Sequence, residues 1–302
     1  MQRDLRPMGV LEIIDASFRI YREHFLKFLA INAIVFVPYT LFLAAVMPNL
    51  LMEASQAAFT SAGDPTATLR AMLPALSTMF LGMLFFQQIA TGAITAAVAD
   101  GYLGKVPSVG RSYSTVLACF GTLFGAILLA AVITAAGFVV IVPGIVFMLW
   151  FSIVSTVVII EKTSVGRSLA RSRALVQGFL SKVFGLLLLV GIITVIFSQI
   201  GQIIGGLFVP QPGLDEIASG GAQFTVAFKK YLLVQTVSGH IVELFVGPLM
   251  SIAHVLLYYD LRIRKEGFDM EVMSNEILGG APKAVDTKAA VDLPPPQGGL
   301  QA

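Results

Sequence analysis

The stretch "VLACFGTLFGAILLAAVITAAGFVVIVPGIVFMLWFSIVSTVVII", Val116–Ile160, decides the fold. It carries no charged residue, and it is about twice as long as one crossing of a membrane needs, since roughly 20 apolar residues span a hydrocarbon layer of about 30 Å. Its one strong interruption is Pro143-Gly144, a pair that turns a chain sharply between helices. The stretch is therefore two spans, approximately Val116–Val142 and Gly144–Ile160. Four more stretches, on either side of it, meet the same criterion: Phe28–Met47, Leu73–Ala99, Val183–Val209 and Tyr231–Tyr259.

Composition agrees. Of 302 residues, 56% are apolar and only 13% charged, against about a quarter charged in soluble domains. The mean hydropathy is +0.84. Backbone left unpaired in hydrocarbon is prohibitive, so spans of this kind are helical. The single cysteine, Cys119, lies in an apolar run and excludes both a disulfide framework and a cysteine metal cluster. The first 27 residues mix charges of both signs and do not resemble a secretory signal.

The 20 Lys and Arg residues fall unevenly between the spans. With the N-terminus in the cytoplasm, 17 lie inside and only Arg70, Lys229 and Lys230 lie outside. The positive-inside rule then predicts a multi-pass protein with both termini cytoplasmic. A membrane domain is expected over residues 1–269. The remainder, 270–302, ends in "VDLPPPQGGLQA" and reads as a disordered cytoplasmic tail.

The pentapeptide SVGRS occurs twice, at Ser108–Ser112 and Ser164–Ser168. Both copies precede a span. Over residues 9–27, Leu11, Ile14, Phe18, Tyr21, Phe25 and Phe28 make one apolar stripe at alternating spacings of three and four, with Asp15–Arg19 and Glu23–Lys27 spaced for ion pairs on the other face. Residues 163–182 repeat the amphipathic pattern, with Thr163 or Ser164 as the N-cap. The expected fold is an all-α integral membrane protein of six transmembrane helices arranged as three hairpins, each led by a cytoplasmic segment. Amphipathic interfacial helices over 9–27 and 163–182 lie on the inner surface. Because every unit starts and ends inside, the units are parallel, unlike the inverted repeats of many transporters.

Two sets of residues are candidates for function. Glu243 is the only carboxylate within the six spans, and His240 stands on its face of the same helix. Gln87, Gln88, Gln199 and Gln202 fall at similar depths and complete a candidate intramembrane polar site. Such groups either join helices by hydrogen bonds or line the path of a small polar solute. His254 is about 21 Å from His240 along a straight helix, too far for shared metal ligation. The second set is basic: Arg19, Arg22, Lys27, Arg167, Arg171, Arg173 and Lys182, which either anchor topology or contact lipid phosphates. Gly121/Gly125 and Gly201/Gly205 are spaced for close helix approach.

The segment "VPGIVFMLWFSIVSTVVIIEKTSVGRSLARSRALVQGFLSKVFGLLLLVGII", Val142–Ile193, has Pro-Gly before a span, an acid at its end, a basic helix and a Gly/Leu-rich span. With "RPMGVLEIIDASFRIYREHF" (Arg6–Phe25) and "LLYYDLRIRKEGFDMEV" (Leu256–Val272) it resembles the glycerophosphoryl diester phosphodiesterase membrane domain family of bacteria, over roughly residues 5–272. The resemblance implies a membrane module that some relatives join to a soluble phosphodiesterase domain. The only sizeable soluble segment here follows Asp269, so no catalytic activity carries over to any residue. There are no paired carboxylates, no nucleophile with a base and no phosphate-cradling loop. The expectation is a non-enzymatic, cofactor-free module of the bacterial inner membrane that organises lipid or protein partners, and not nucleic acid. The alternative is a transporter or channel built on His240 and Glu243.

Overall fold

The structure, a computed structural model, describes residues 6–60, 64–102, 106–209 and 222–267. The tail expected over 270–302 lies outside them. The described residues are all-helical, with no strand. In chain order the helices are α1 (Val10–Glu23), α2 (Phe25–Thr60), α3 (Pro65–Gly82), α4 (Gln88–Tyr102), α5 (Val109–Ala118), α6 (Phe120–Phe138), α7 (Val142–Trp150), α8 (Val154–Glu161), α9 (Val165–Val176), α10 (Leu180–Phe208) and α11 (Ala222–Glu266). A π-helical turn, Met83–Gln87, joins α3 to α4.

Six helical segments are long and apolar enough to cross a membrane: Phe25–Ala57, Pro65–Tyr102, Phe120–Phe138, Val142–Glu161, Leu180–Phe208 and Thr225–Glu266. By that measure the chain is a multi-pass membrane protein. Several segments outrun the sequence expectation. α2 has 36 residues and α11 has 45, or about 54 and 68 Å at 1.5 Å per residue, well beyond the hydrocarbon layer.

The reversal at Pro143-Gly144 is tight. Ile141 takes a positive φ of 58°, and Pro143 sits in the first turn of α7, where its missing N–H costs nothing. A Cβ on Gly144 would lie 2.7 Å from the Phe138 backbone, so only glycine lets α6 and α7 meet here.

The span expected as one helix over 144–160 is instead α7 and α8, broken at Phe151–Ile153. The Val154 N–H turns to Phe151 O at 3.1 Å and so releases the carbonyl of Trp150. Ser172 of α9 donates to that carbonyl at 2.6 Å, which makes the break affordable in an apolar setting.

Both SVGRS copies adopt one local structure. Ser108 and Ser164 are N-caps with extended backbone, and Ser112 and Ser168, both buried, return their hydroxyls to the carbonyls of Ser108 and Ser164, each at 2.9 Å. α9 is shorter than the expected helix over 163–182, because Gly178 at φ 93° ends it before α10 begins.

The core gathers around the last turns of α11. From Ile252 to Ile263 nearly every side chain is buried, including Tyr258 and Tyr259, with Tyr259 stacked on Tyr102 at 4.4 Å. α11 packs on α1, α2, α4, α8, α9 and α10. It is the shaft on which the other elements are assembled.

Candidate functional site

Near the midpoint of α11, Pro248 has no N–H for the carbonyl of Leu244, four residues back. Asn32 of α2, almost fully buried, supplies the missing donor: its Nδ2 reaches Leu244 O at 3.0 Å and Glu243 O at 3.4 Å. The Tyr21 hydroxyl of α1 donates to the next carbonyl, Phe245 O, at 2.7 Å. Two side chains from two elements thus stitch one kink. Neither residue is marked in the sequence as such a donor. Pro248 inside a span signals that a carbonyl needs a donor, but nothing along the chain says which residue provides it.

Glu243 projects beside this kink. Its Oε1 accepts from Gln87 Nε2 at 3.4 Å, the one contact among the expected polar-site residues that the structure brings about. Gln87 ends the π-turn, and π-turns inside helices recur at functional sites. His240 is turned away from Glu243: its Nδ1 engages Thr236 O at 2.8 Å, and its ring meets the face of Tyr39 edge-on at 5.6 Å. Gln88 lines a separate cleft of about 460 Å³ with Thr134, Ser152 and Ser155. Gln199 and Gln202 lie on the exposed face of α10. That helix meets α11 through Gly201 and Gly205, where added Cβ atoms would fall 2.2 Å from Val242 Cγ2 and 2.6 Å from Ser238 Oγ. The expected polar site therefore contracts to Glu243 and Gln87, with Asn32 added. No cluster of three His, Cys, Asp or Glu side chains suited to a metal exists among the described residues.

The basic set divides. Lys182, expected at lipid headgroups, instead pairs with Asp260, whose side chain is wholly buried, and also donates to Met8 O. Arg264 donates to both Asp260 oxygens at 3.1 Å and to Met8 O at 3.0 Å, while the Met8 N–H reaches Asp260 at 2.7 Å. One residue of the N-terminal segment is thereby held through both of its backbone groups.

Arg171 is likewise redirected. Its Nε donates to Glu161 at 2.9 Å and its Nη2 to Glu266 at 2.9 Å, and Tyr258 adds a bond to Glu161 at 2.9 Å. Burial opposes the guanidinium charge, yet Glu266 and Glu161 outweigh it and hold the pKa of Arg171 above the ordinary value. Arg173 stacks over the Trp150 ring at 4.3 Å. Spacing alone could not separate these cations from surface ones, because their partners lie far away in sequence.

Arg19, Arg22, Lys27 and Arg167 remain exposed. α1 buries Ile13, Ala16, Ser17 and Ile20 against the bundle, yet Leu11 is 73%, Phe18 43% and Leu26, just past its end, 76% exposed. This short helix thus has a protein-facing side and a second, exposed side that mixes large apolar residues with charges of both signs, Glu12, Asp15 and Glu23 beside Arg19 and Arg22. Asp15, Phe18, Arg19, Tyr21, Arg22 and Phe25 line a groove of about 430 Å³ on it.

No family model matches this chain, and neither a curated protein nor a solved structure does.

Proposed function

We propose that this chain is a non-catalytic module of a bacterial cytoplasmic membrane that gathers anionic lipid, and proteins bound to such lipid, at the inner leaflet. In this reading α1, α5 and α9 lie along that surface, the six crossings form three hairpins, and both termini are cytoplasmic. The resemblance to the glycerophosphoryl diester phosphodiesterase membrane domain family belongs to the same proposal.

The observation that carries it is the exposed side of α1. Exposed Leu11, Phe18 and Leu26 are costly in water and would be favourable in the acyl boundary, where the exposed Arg19, Arg22 and Lys27, interleaved with Glu12, Asp15 and Glu23, would meet the headgroups. Each cation near an anionic leaflet contributes about 1 kcal/mol. The contact of Met8 with Asp260 and Arg264 supports a common side for the two ends, since it joins the N-terminal segment to the end of α11.

The test is thermal unfolding of the purified protein in detergent with added phosphatidylglycerol or phosphatidylcholine. The anionic lipid is expected to raise the midpoint more, and replacing Arg19, Arg22 and Lys27 together by alanine is expected to remove the difference. Equal responses to both lipids in the unaltered protein would sink the proposal.

A further inference from the structure

The groove on α1 holds charges of both signs over an aromatic lining. Asp15, Phe18, Arg19, Tyr21, Arg22 and Phe25 surround about 430 Å³, so one carboxylate, two guanidiniums and three rings share one concavity. Helical periodicity makes the grouping, since Phe18, Arg19 and Arg22 follow Asp15 by three, four and seven residues and so fall on one face of α1.

Part of the lining is held in place by α11. The Tyr21 hydroxyl donates to Phe245 O at 2.7 Å, Tyr21 meets Phe25 edge-on at 5.3 Å, and Phe25 stacks on Phe245 at 6.4 Å. These contacts fix two half-buried rings, while Asp15, Phe18, Arg19 and Arg22 of the same groove are exposed.

Each charged side chain restricts what fits there. Arg19 and Arg22 present planar forks of N–H donors, which suit the oxygens of a phosphodiester. An ionised carboxylate accepts hydrogen bonds and donates none, so Asp15 disfavours a second anion and takes a hydroxyl or an ammonium. Asp15 precedes Arg19 by four residues, about 6 Å along the helix axis, so the donor belongs a short way beyond the phosphate. Two arginines against one aspartate leave the lining with one net positive charge, which a headgroup of charge minus one balances and a zwitterion does not.

We propose that this groove recognises phosphatidylglycerol, with Arg19 and Arg22 on the phosphate and Asp15 accepting from a hydroxyl of the terminal glycerol. The inference rests on the reading that α1 lies at the inner leaflet, and it adds a preference among anionic lipids that charge alone does not produce.

The experiment is competition between pairs of lipids for the full-length protein in detergent, read as retained lipid by native mass spectrometry. The lipids are phosphatidylglycerol, phosphatidylmethanol, phosphatidylethanolamine and phosphatidylcholine with identical acyl chains. Phosphatidylmethanol carries the same charged phosphodiester with a methyl group in place of the glycerol, so it engages the arginines and offers Asp15 no donor. Phosphatidylglycerol is expected to be retained about three- to tenfold over phosphatidylmethanol, as the net worth of one hydrogen bond predicts.

Asp15→Ala should bring that ratio to about one, and Asp15→Asn, which keeps an acceptor oxygen, should preserve part of it. Replacing Arg19 and Arg22 together by alanine should lower both anionic lipids alike. None of these side chains is buried, so the fold tolerates their loss. Equal retention of phosphatidylglycerol and phosphatidylmethanol, both above phosphatidylcholine, overturns this inference and leaves the gathering of anionic lipid standing. Retention of all four lipids at one level overturns both. A preference for phosphatidylglycerol that survives in Asp15→Ala, or phosphatidylethanolamine retained above phosphatidylglycerol, overturns the pairing of Asp15 with the glycerol hydroxyl.

Discussion

Asn32 shows how much a single amide can decide in this protein. It is one of few fully buried polar side chains, and it answers the carbonyl that Pro248 leaves without a donor. Replacing it by leucine leaves Leu244 O unsatisfied in an apolar layer, a loss of about 1 to 2 kcal/mol expected as a lower midpoint of thermal unfolding in detergent. The cost should shrink when Pro248→Ala is also present, because the restored N–H at 248 can serve the same carbonyl. Equal cost in both backgrounds would mean that Asn32 acts through packing alone. Pro248 and Glu243 are conspicuous in the sequence as a helix breaker and a carboxylate in an apolar run. Asn32 is not, since an asparagine in a span looks the same whether it bonds a neighbouring helix or nothing.

At the level of elements, α10 and α11 are held together by the absence of side chains. Gly201→Ala would place its Cβ 2.2 Å from Val242 Cγ2, a clash that must push the helices apart. A destabilisation of about 1 to 3 kcal/mol is expected, with partial recovery on adding Val242→Ala. The Gly201/Gly205 spacing is legible in the sequence, but whether it joins two helices of one chain or two chains is not. Gly121, at the same spacing from Gly125, meets nothing within 4 Å.

The start of α1 offers a pH-dependent counterpart. Glu12 accepts the N–H of Gly9 at 2.6 Å and pairs with Arg6 at 3.0 Å, and these contacts hold its carboxyl below the usual range. A carboxyl lowered in the folded state contributes order above its unfolded pKa and loses it as pH falls through the folded value. Protection from amide exchange in the first turn of α1, taken relative to the intrinsic rate at each pH, should therefore fall under acid conditions, at a pH below the ordinary glutamate range. Glu12→Gln should remove that dependence.

For the molecule as a whole, the terminal turns of α11 are decisive. The run Tyr258–Glu266 collects the N-terminal segment through Asp260 and Arg264, α10 through Lys182, and α8 and α9 through Glu266, Arg171 and Glu161. Lys265 adds bonds to Ala174 O and Gln177 O at the end of α9. Asp260→Ala would strand Lys182 and Arg264 beside an empty buried position, and about 3 to 5 kcal/mol of destabilisation is expected. Asp260→Asn, which keeps an acceptor for Met8, should cost less. Identical unfolding curves for both variants and the unaltered protein would show that the cluster does not hold the assembly.

Six helical segments long and apolar enough to cross a membrane are legible along the chain, because length and apolarity are properties of consecutive residues and the Pro143-Gly144 reversal is a local steric event. The sequence also marked Glu243 as exceptional, since a carboxylate is costly wherever a helix buries it in hydrocarbon. Which cations are committed to protein follows from the packing of the helices. Lys182 and Arg171 carry the same charge and similar local patterns as Arg22 and Lys27, but they meet Asp260, Glu161 and Glu266, two of which lie 78 and 95 residues away. The same packing drew Gln87 to Glu243 across 156 residues and left His240, three residues from Glu243, bonded elsewhere. Ion pairs and hydrogen bonds act over a few ångströms, so their partners are chosen by how helices pack and not by how residues are spaced.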